Sequence, residues 1–124
     1  MVSIVDNSTT ALLSLALDAA AMRQQAIAQN IANASTPGYQ RVSVNFETRM
    51  TELVNDTAQG AAPSLAELAN YRPTLEVGSG PGSTVALDQE MVQLSDTVLH
   101  HQALLKALGK HLELIGVAIN EGKR

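Results

Sequence analysis

The side chains with the most obvious chemistry are three histidines, His100, His101 and His111. Imidazole is a common metal ligand, but a site needs several ligands that converge. His100 and His101 are adjacent, so on a helix they project about 100° apart. His101 and His111 would lie about 15 Å apart along the axis. No carboxylate stands at helical spacing to complete a set, so the sequence predicts no metal site. His101 reads instead as a polar break in an apolar seam, of the kind that can fix coiled-coil register. The chain has no cysteine, which removes disulfides, thiolate ligands and cysteine nucleophiles. GSGPG at 78–82 carries Pro81 inside it and lacks a surrounding βαβ unit, so it is not a dinucleotide fingerprint. The run from Gly116 to Lys123 has one residue too many between its glycines for a phosphate loop, and no Ser or Thr follows the lysine. No Ser/His/Asp order stands out, and no pair of carboxylates is set in an apolar frame. Glycosylation triplets begin at Asn7, Asn33 and Asn55; an Asn-, Ser- and Thr-rich chain gives such matches by chance. Catalysis and cofactor binding are therefore not expected.

The remaining motif is QNIANASTPGYQR at 29–41, where a helical run meets an abrupt stop. Pro37 has no N–H and biases Thr36 away from helical geometry. Gly38 after Pro37 fits a type II turn. Before it, Leu13, Leu17, Ala20, Gln24, Ile27 and Ile31 form one row at helical spacing, and Leu12, Leu15, Ala19, Met22 and Ala26 form a second. Together they predict an amphipathic helix over 8–33, with the cap-type residues Asp6 to Thr9 at its start. After the turn, Val42, Val44 and Phe46 alternate with polar residues, as a short extended segment does. A short helix follows from Phe46 through Met50 to Leu53 or Val54. YRPTLEV at 71–77 reads as a second extended piece, and GSGPGS as a loop. The rest of 55–83 reads as loop.

The strongest periodicity closes the chain. Leu87, Met91, Leu94, Val98, His101, Leu105, Leu108, Leu112, Ile115 and Ile119 alternate at spacings of four and three, an a/d heptad stripe. Thr84 is its expected cap, and Asp88 and Glu90 suit the positive end of the helix dipole. A helix over 84–120 would be about 55 Å long, against a radius of gyration near 14 Å for a compact domain of this size. The expectation is a single domain over 1–124, all-α and elongated. Two long terminal helices form a coiled-coil-like hairpin around a loop-rich middle, 34–83, that holds short extended segments. Two helices cannot cover each other fully, which leaves Val92, Leu99 and Val117 wet.

Composition points the same way. Charged residues make up 16%, against about 25% in an ordinary domain, while 45% are hydrophobic. Such a surface suits burial between subunits. The formal charge of −4 and scattered basic residues argue against nucleic acid. The apolar run at 11–21 follows Asp6 and is broken by Asp18, with Arg23 the first basic residue, so a cleaved signal peptide is not expected. No uncharged apolar stretch approaches the roughly 20 residues needed to cross a bilayer.

Asn30-Ile31-Ala32-Asn33, two residues, then Thr36-Pro37-Gly38-Tyr39 resembles the signature of the flagellar rod, hook and hook-associated axial proteins. The resemblance rests on that motif about 30 residues into the chain and on the closing heptad helix, and the short length selects the proximal rod proteins. It implies a structural subunit without enzymatic activity, exported through the flagellar type III apparatus with no cleaved signal. It also implies assembly in the periplasmic rod with other rod proteins, the membrane-ring adaptor and copies of itself. Asn30, Asn33, Thr36, Pro37, Gly38 and Tyr39 would then be an assembly motif. Pro37 and Gly38 would set the exit angle, and Asn30 and Asn33 would bond the turn. Tyr39 would pack on the helices with its hydroxyl on a polar partner. The heptad stripe would pair helices within and between subunits, and the free chain would be partly disordered at its ends. A soluble coiled-coil adaptor or export chaperone, giving a dimer of fixed size, is the rival from another class, and a secreted enzyme a third.

Overall fold

The computed structural model describes residues 2–56 and 63–122. Six elements follow one another: α1 (Val2–Ala32), β1 (Val42–Val44), α2 (Glu47–Asp56), α3 (Leu65–Asn70), β2 (Leu75–Val77) and α4 (Leu87–Gly122). α1 and α4 are about 46 and 54 Å long. Asn30 of α1 bonds Glu90 of α4, and Arg23 lies near Thr97 and His100. Residue numbers therefore rise on one helix as they fall on the other, and the two long helices form an antiparallel hairpin.

Both long helices differ from their expected bounds. α1 begins at Val2, ahead of residue 8, because the cap-type residues from Asp6 to Thr9 are taken into the helix. α4 begins at Leu87 rather than Thr84, and its first turn closes with Glu90 N–H donating to Ala86 C=O at 2.9 Å. It runs unbroken through Gly109 and Gly116.

The two apolar rows of α1 serve different neighbours. Leu15, Ala19 and Ala26 pack with Val44, Phe46 and Leu68, helped by Met22, Met50 and Tyr71. This small core lies between α1 and the middle segment. Ala20 and Ile27 are also buried but fall on the other row, level with Arg23 and Asn30 on the face toward α4. Small residues on α1 permit close approach on both sides, which offsets the shortage of aromatic volume. Phe46 and Tyr71 supply the one aromatic pair among the described residues, with ring centroids 6.0 Å apart and planes inclined by 57°.

The middle segment holds more structure than a loop. β1 and β2 pair antiparallel with Val42 opposite Val77, Ser43 opposite Glu76 and Val44 opposite Leu75. α3 is a helix within the region expected to be loop. Ser64 and Glu67 form a capping box around its first turn, each side chain bonding the other's backbone N–H, and Leu68 plugs it into the core. The pattern Ser-x-x-Glu before an apolar residue is the sequence signal for this start.

The α4 stripe divides between two environments. The face toward α1 is Glu90, Leu94, Thr97, His101, Leu104, Leu108, His111 and Ile115, all buried or half-buried. Of the expected stripe, Leu94, His101, Leu108 and Ile115 thus line the seam. Their companions in it are residues 90, 97, 104 and 111. Leu87, Met91, Val98, Leu105, Leu112 and Ile119 are exposed instead, as are Val92, Leu99 and Val117. Among the described residues no helix is long and apolar enough to cross a membrane.

Candidate functional site

The residues of the opening motif are brought together where α1 leaves the hairpin. α1 stops at Ala32, five residues before Pro37. Asn33 N–H makes a last helical bond to Gln29 C=O at 3.1 Å, and the chain then tightens, with Ala34 N–H bonding Ile31 C=O at 3.3 Å and Thr36 N–H bonding Asn33 C=O at 2.9 Å. The Asn33 amide helps by donating Nδ2–H to Gln29 C=O at 2.9 Å, and its Oδ1 accepts from the Thr36 hydroxyl at 3.2 Å. Such local bonds compete with helix continuation. Then Tyr39 N–H closes onto Thr36 C=O at 3.2 Å, with Pro37 and Gly38 as the central pair and Gly38 at φ +77°. That is a type II turn, in which the third residue must take a left-handed conformation. A Cβ on Gly38 would meet nothing within 4 Å, so its requirement is backbone conformation alone.

Asn30 is the hub. Its side chain is fully buried, and its amide uses its whole bonding capacity of two donors and two acceptors. Nδ2 donates to Val42 C=O at 2.8 Å and to Glu90 Oε2 at 3.3 Å. Oδ1 accepts from Val42 N–H at 2.9 Å and from the Tyr39 hydroxyl at 3.1 Å. In an antiparallel pair a residue's N–H and C=O point to the same side of the strand. The Asn30 amide thus satisfies both backbone groups of Val42 on the edge that β2 does not use. One side chain stands in for a third strand.

Glu90, 1% exposed, completes the junction. Oε1 accepts from Arg41 Nε, while Oε2 accepts from Asn30. Arg41 also donates through Nη2 to Gln93 Oε1. A buried carboxylate is tolerated when an opposite charge and further hydrogen bonds satisfy it, and here both are present. No buried side-chain N or O atom among the described residues is left without a partner. The backbone around Arg41 is tied as well: its N–H bonds Ser83 C=O at 2.7 Å and its C=O accepts from Gly78 N–H at 2.8 Å. A Cβ on Gly78 would lie 2.8 Å from the Ser83 Cβ and 3.2 Å from Arg41 O. Only glycine permits that approach. Farther along the same edge of β1, Arg23 pairs with Glu47 at 2.7 Å and reaches Val44 C=O at 3.4 Å.

Sequence reasoning singled out Asn30, Asn33, Thr36, Pro37, Gly38 and Tyr39 but passed over Glu90 and Arg41. Glu90 was read only as a dipole partner at the start of α4. Its spacing of four and seven residues to Leu94 and Thr97 was the available signal that it faces inward. Of the heptad residues in the seam, Leu94 lies one turn beyond Glu90 and Leu108 lies farther along α4.

The arrangement offers little to a substrate. Asn33, Thr36, Gly38, Tyr39, Ser83 and Thr84 line a cleft of about 290 Å³ to which no charged side chain contributes. Among the described residues no cluster of three His, Cys, Asp or Glu side chains could hold a metal ion. The groups that converge here are satisfied by one another. The junction ties two helices and a strand at one point.

Comparison with known proteins gives this junction a context. The family of flagella basal body rod proteins matches residues 13–40, about the last two thirds of α1 and the turn. The flagellar basal body rod protein FlgB of Escherichia coli (strain K12) is 34% identical, over 79% of this chain and 83% of that protein. Its counterpart in Salmonella typhimurium is 30% identical, over 79% and 83%. FlgB of Yersinia enterocolitica is 28% identical, over 86% and 90%.

Proposed function

The chain belongs to the family of the flagellar basal body rod protein FlgB, and from that membership we propose that it is a structural subunit of the rod and not an enzyme. The observation that carries this reading is the 34% identity to FlgB across 79% of the chain. It sits in the proximal rod, where it contacts other rod proteins, the membrane-ring adaptor and copies of itself in a helical array. It carries torque across the periplasm, and it reaches that place by the flagellar export route without a cleaved signal peptide.

The fold supplies a physical rationale for a load-bearing part. A shear between α1 and α4 is resisted at the Asn30–Glu90–Arg41 junction, and β1 is bonded to that same junction through Val42. Force on either helix therefore passes into the middle segment through these hydrogen bonds. The type II turn at Pro37-Gly38 sets the direction in which the chain leaves α1 and so places Val42 against Asn30. The assembly motif acts in this reading as a joint of fixed angle.

The test is complementation of a strain from which the gene has been deleted. Deletion is expected to abolish swimming in soft agar, with no rods in isolated basal bodies. The double variant Pro37→Ala, Gly38→Ala is expected to restore swimming poorly. A deletion strain that swims normally overturns the rod reading, and normal swimming of the double variant overturns the role given to the turn.

A further inference from the structure

The two edges of the small sheet differ. On β1 the outer edge is closed: the Asn30 amide takes both backbone groups of Val42, and Arg23 reaches Val44 C=O. Val42 and Val44 thus turn their backbone groups away from β2, and in an antiparallel ladder the residues opposite them turn theirs away from β1. Val77 lies opposite Val42 and Leu75 opposite Val44, so both direct N–H and C=O outward from the sheet. The next residue keeps the alternation, since Gly78 N–H donates inward to Arg41 C=O at 2.8 Å. Among the described residues nothing bonds the four outward groups of β2.

The side chains of this edge are apolar where they need not be. Leu75 and Val77 are 47% and 65% exposed. They share a sheet face with Val42 and the buried Val44, so they overhang the rim of the small core. Glu76 stands on the other face, where Oε1 accepts from Asn45 Nδ2 at 2.9 Å. An edge kept short and charged only to prevent aggregation would be polar at 75 and 77 as well. This one continues the apolar face of the core out to an unpaired backbone.

We propose that β2 receives an extended segment of a different polypeptide as the third strand of this sheet. The inference deepens the rod reading and rests on it for where the partner is met. Outward amides and carbonyls at alternate residues are what an added strand recognises. Glu76 selects against a second copy. The symmetric pairing that satisfies all four groups sets Leu75 against Val77 of the other copy, and Glu76 against Glu76. That central pair is of the close, non-hydrogen-bonded kind, and like charges so opposed are destabilising. Centring the pair on Leu75 brings Pro73, which has no N–H, opposite Val77. Centring it on Val77 runs the ladder into Ser79, where β2 has ended and Gly80 follows at φ +81°. The occupant is therefore a strand of pattern apolar–basic–apolar. Its Lys or Arg lies opposite Glu76, and its flanking Val- or Ile-like residues extend the apolar face over the core.

Val77→Pro removes an N–H that bonds nothing within the chain, at an edge position that tolerates proline. It is expected to leave the urea midpoint of the isolated chain within about 0.5 M of the native value, yet to lose swimming when supplied to the deletion strain. Val77→Thr keeps the N–H and the branched shape and should swim normally. Hydrogen exchange read by mass spectrometry needs no variant: the peptide covering 75–77 should exchange at least about tenfold more slowly in isolated basal bodies than in the free chain. Normal swimming of Val77→Pro, equal loss with Val77→Thr, or unchanged exchange overturns the third strand. A Val77→Pro midpoint that falls as far as that of Asn30→Leu places the N–H in use inside the subunit and overturns it too. Leu75→Cys, Glu76→Cys and Val77→Cys, introduced singly into a chain without cysteine, should give no disulfide homodimer in oxidised basal bodies. A homodimer from any of them makes the occupant a second copy and overturns the assignment to a different polypeptide. Normal swimming of the deletion strain itself overturns the rod reading instead.

Discussion

Replacing Asn30 with leucine keeps the branched side-chain skeleton and removes all four hydrogen bonds at once. The loss strands the N–H and C=O of Val42, the Tyr39 hydroxyl and one oxygen of the buried Glu90 carboxylate. A buried group left unsatisfied costs about 1–3 kcal/mol. Tyr39 is half-buried and finds water, and Glu90 keeps Arg41. The cost therefore falls mainly on the two Val42 groups and the weakened carboxylate, about 4 kcal/mol together. Asn33 provides the internal comparison, because its amide also makes two bonds but on the surface. Asn33→Ala is expected to cost about 0.5–1 kcal/mol. The assay is urea unfolding of the full chain followed by near-ultraviolet circular dichroism. The chain lacks Trp, so the signal comes chiefly from Tyr39, which touches Asn30, and Tyr71 in the small core. At an m-value of about 1.5 kcal/mol per molar urea, the Asn30→Leu midpoint should fall by about 2–3 M and that of Asn33→Ala by less than about 0.7 M. Equal shifts for the two variants would refute the junction as the point where the fold is tied.

Other substitutions probe single links. Glu90→Gln leaves Arg41 without its buried counter-charge and should cost about 2–3 kcal/mol in the same assay; in a double-mutant cycle with Asn30→Leu the two losses should be less than additive. Gly78→Ala forces a methyl against Ser83 and the Arg41 carbonyl and should destabilise by about 1–3 kcal/mol. Gly109→Ala meets open space in a helix and should raise the urea midpoint of the isolated chain by about 0.5–1 kcal/mol equivalent; a loss would show that α4 carries a contact at that position within the subunit. Burial raises the Tyr71 phenol above its ordinary value of 10.0. The fold thus favours the neutral form. Its contribution is fully present below pH 10 and is lost as pH rises through the raised value, so an alkaline absorbance titration should show a late phase from Tyr71, which Tyr71→Phe should abolish.

The helices were legible because their signal is local and repeated. Ten positions at heptad spacing define α4 whatever packs against them, and the same holds for the two rows of α1. Which face of α4 turns inward was not legible, and the reason is physical. An a/d stripe is defined by apolar side chains, but α1 presents alanines and Asn30, and it rolls the seam toward residues 90, 97, 104 and 111. There Glu90 is satisfied by Asn30 and Arg41, each nearly fifty residues or more away in sequence. No periodicity carries such a pairing, since it depends on the turn at Pro37-Gly38 delivering Arg41 and Val42 to a particular place. α3 was missed for a different reason, because six residues are too few for a period and only the Ser64–Glu67 capping box marked it. The motif was visible as a helix stop, yet its central residue is the asparagine seven positions before the proline. The turn and the buried carboxylate are two ends of one constraint. Because the polar junction fixes α1 against α4 at one end, the seam beyond it need not be strongly apolar. That leaves the large side chains of α4 on its outer face, which is where a subunit built to be covered by its neighbours would carry them.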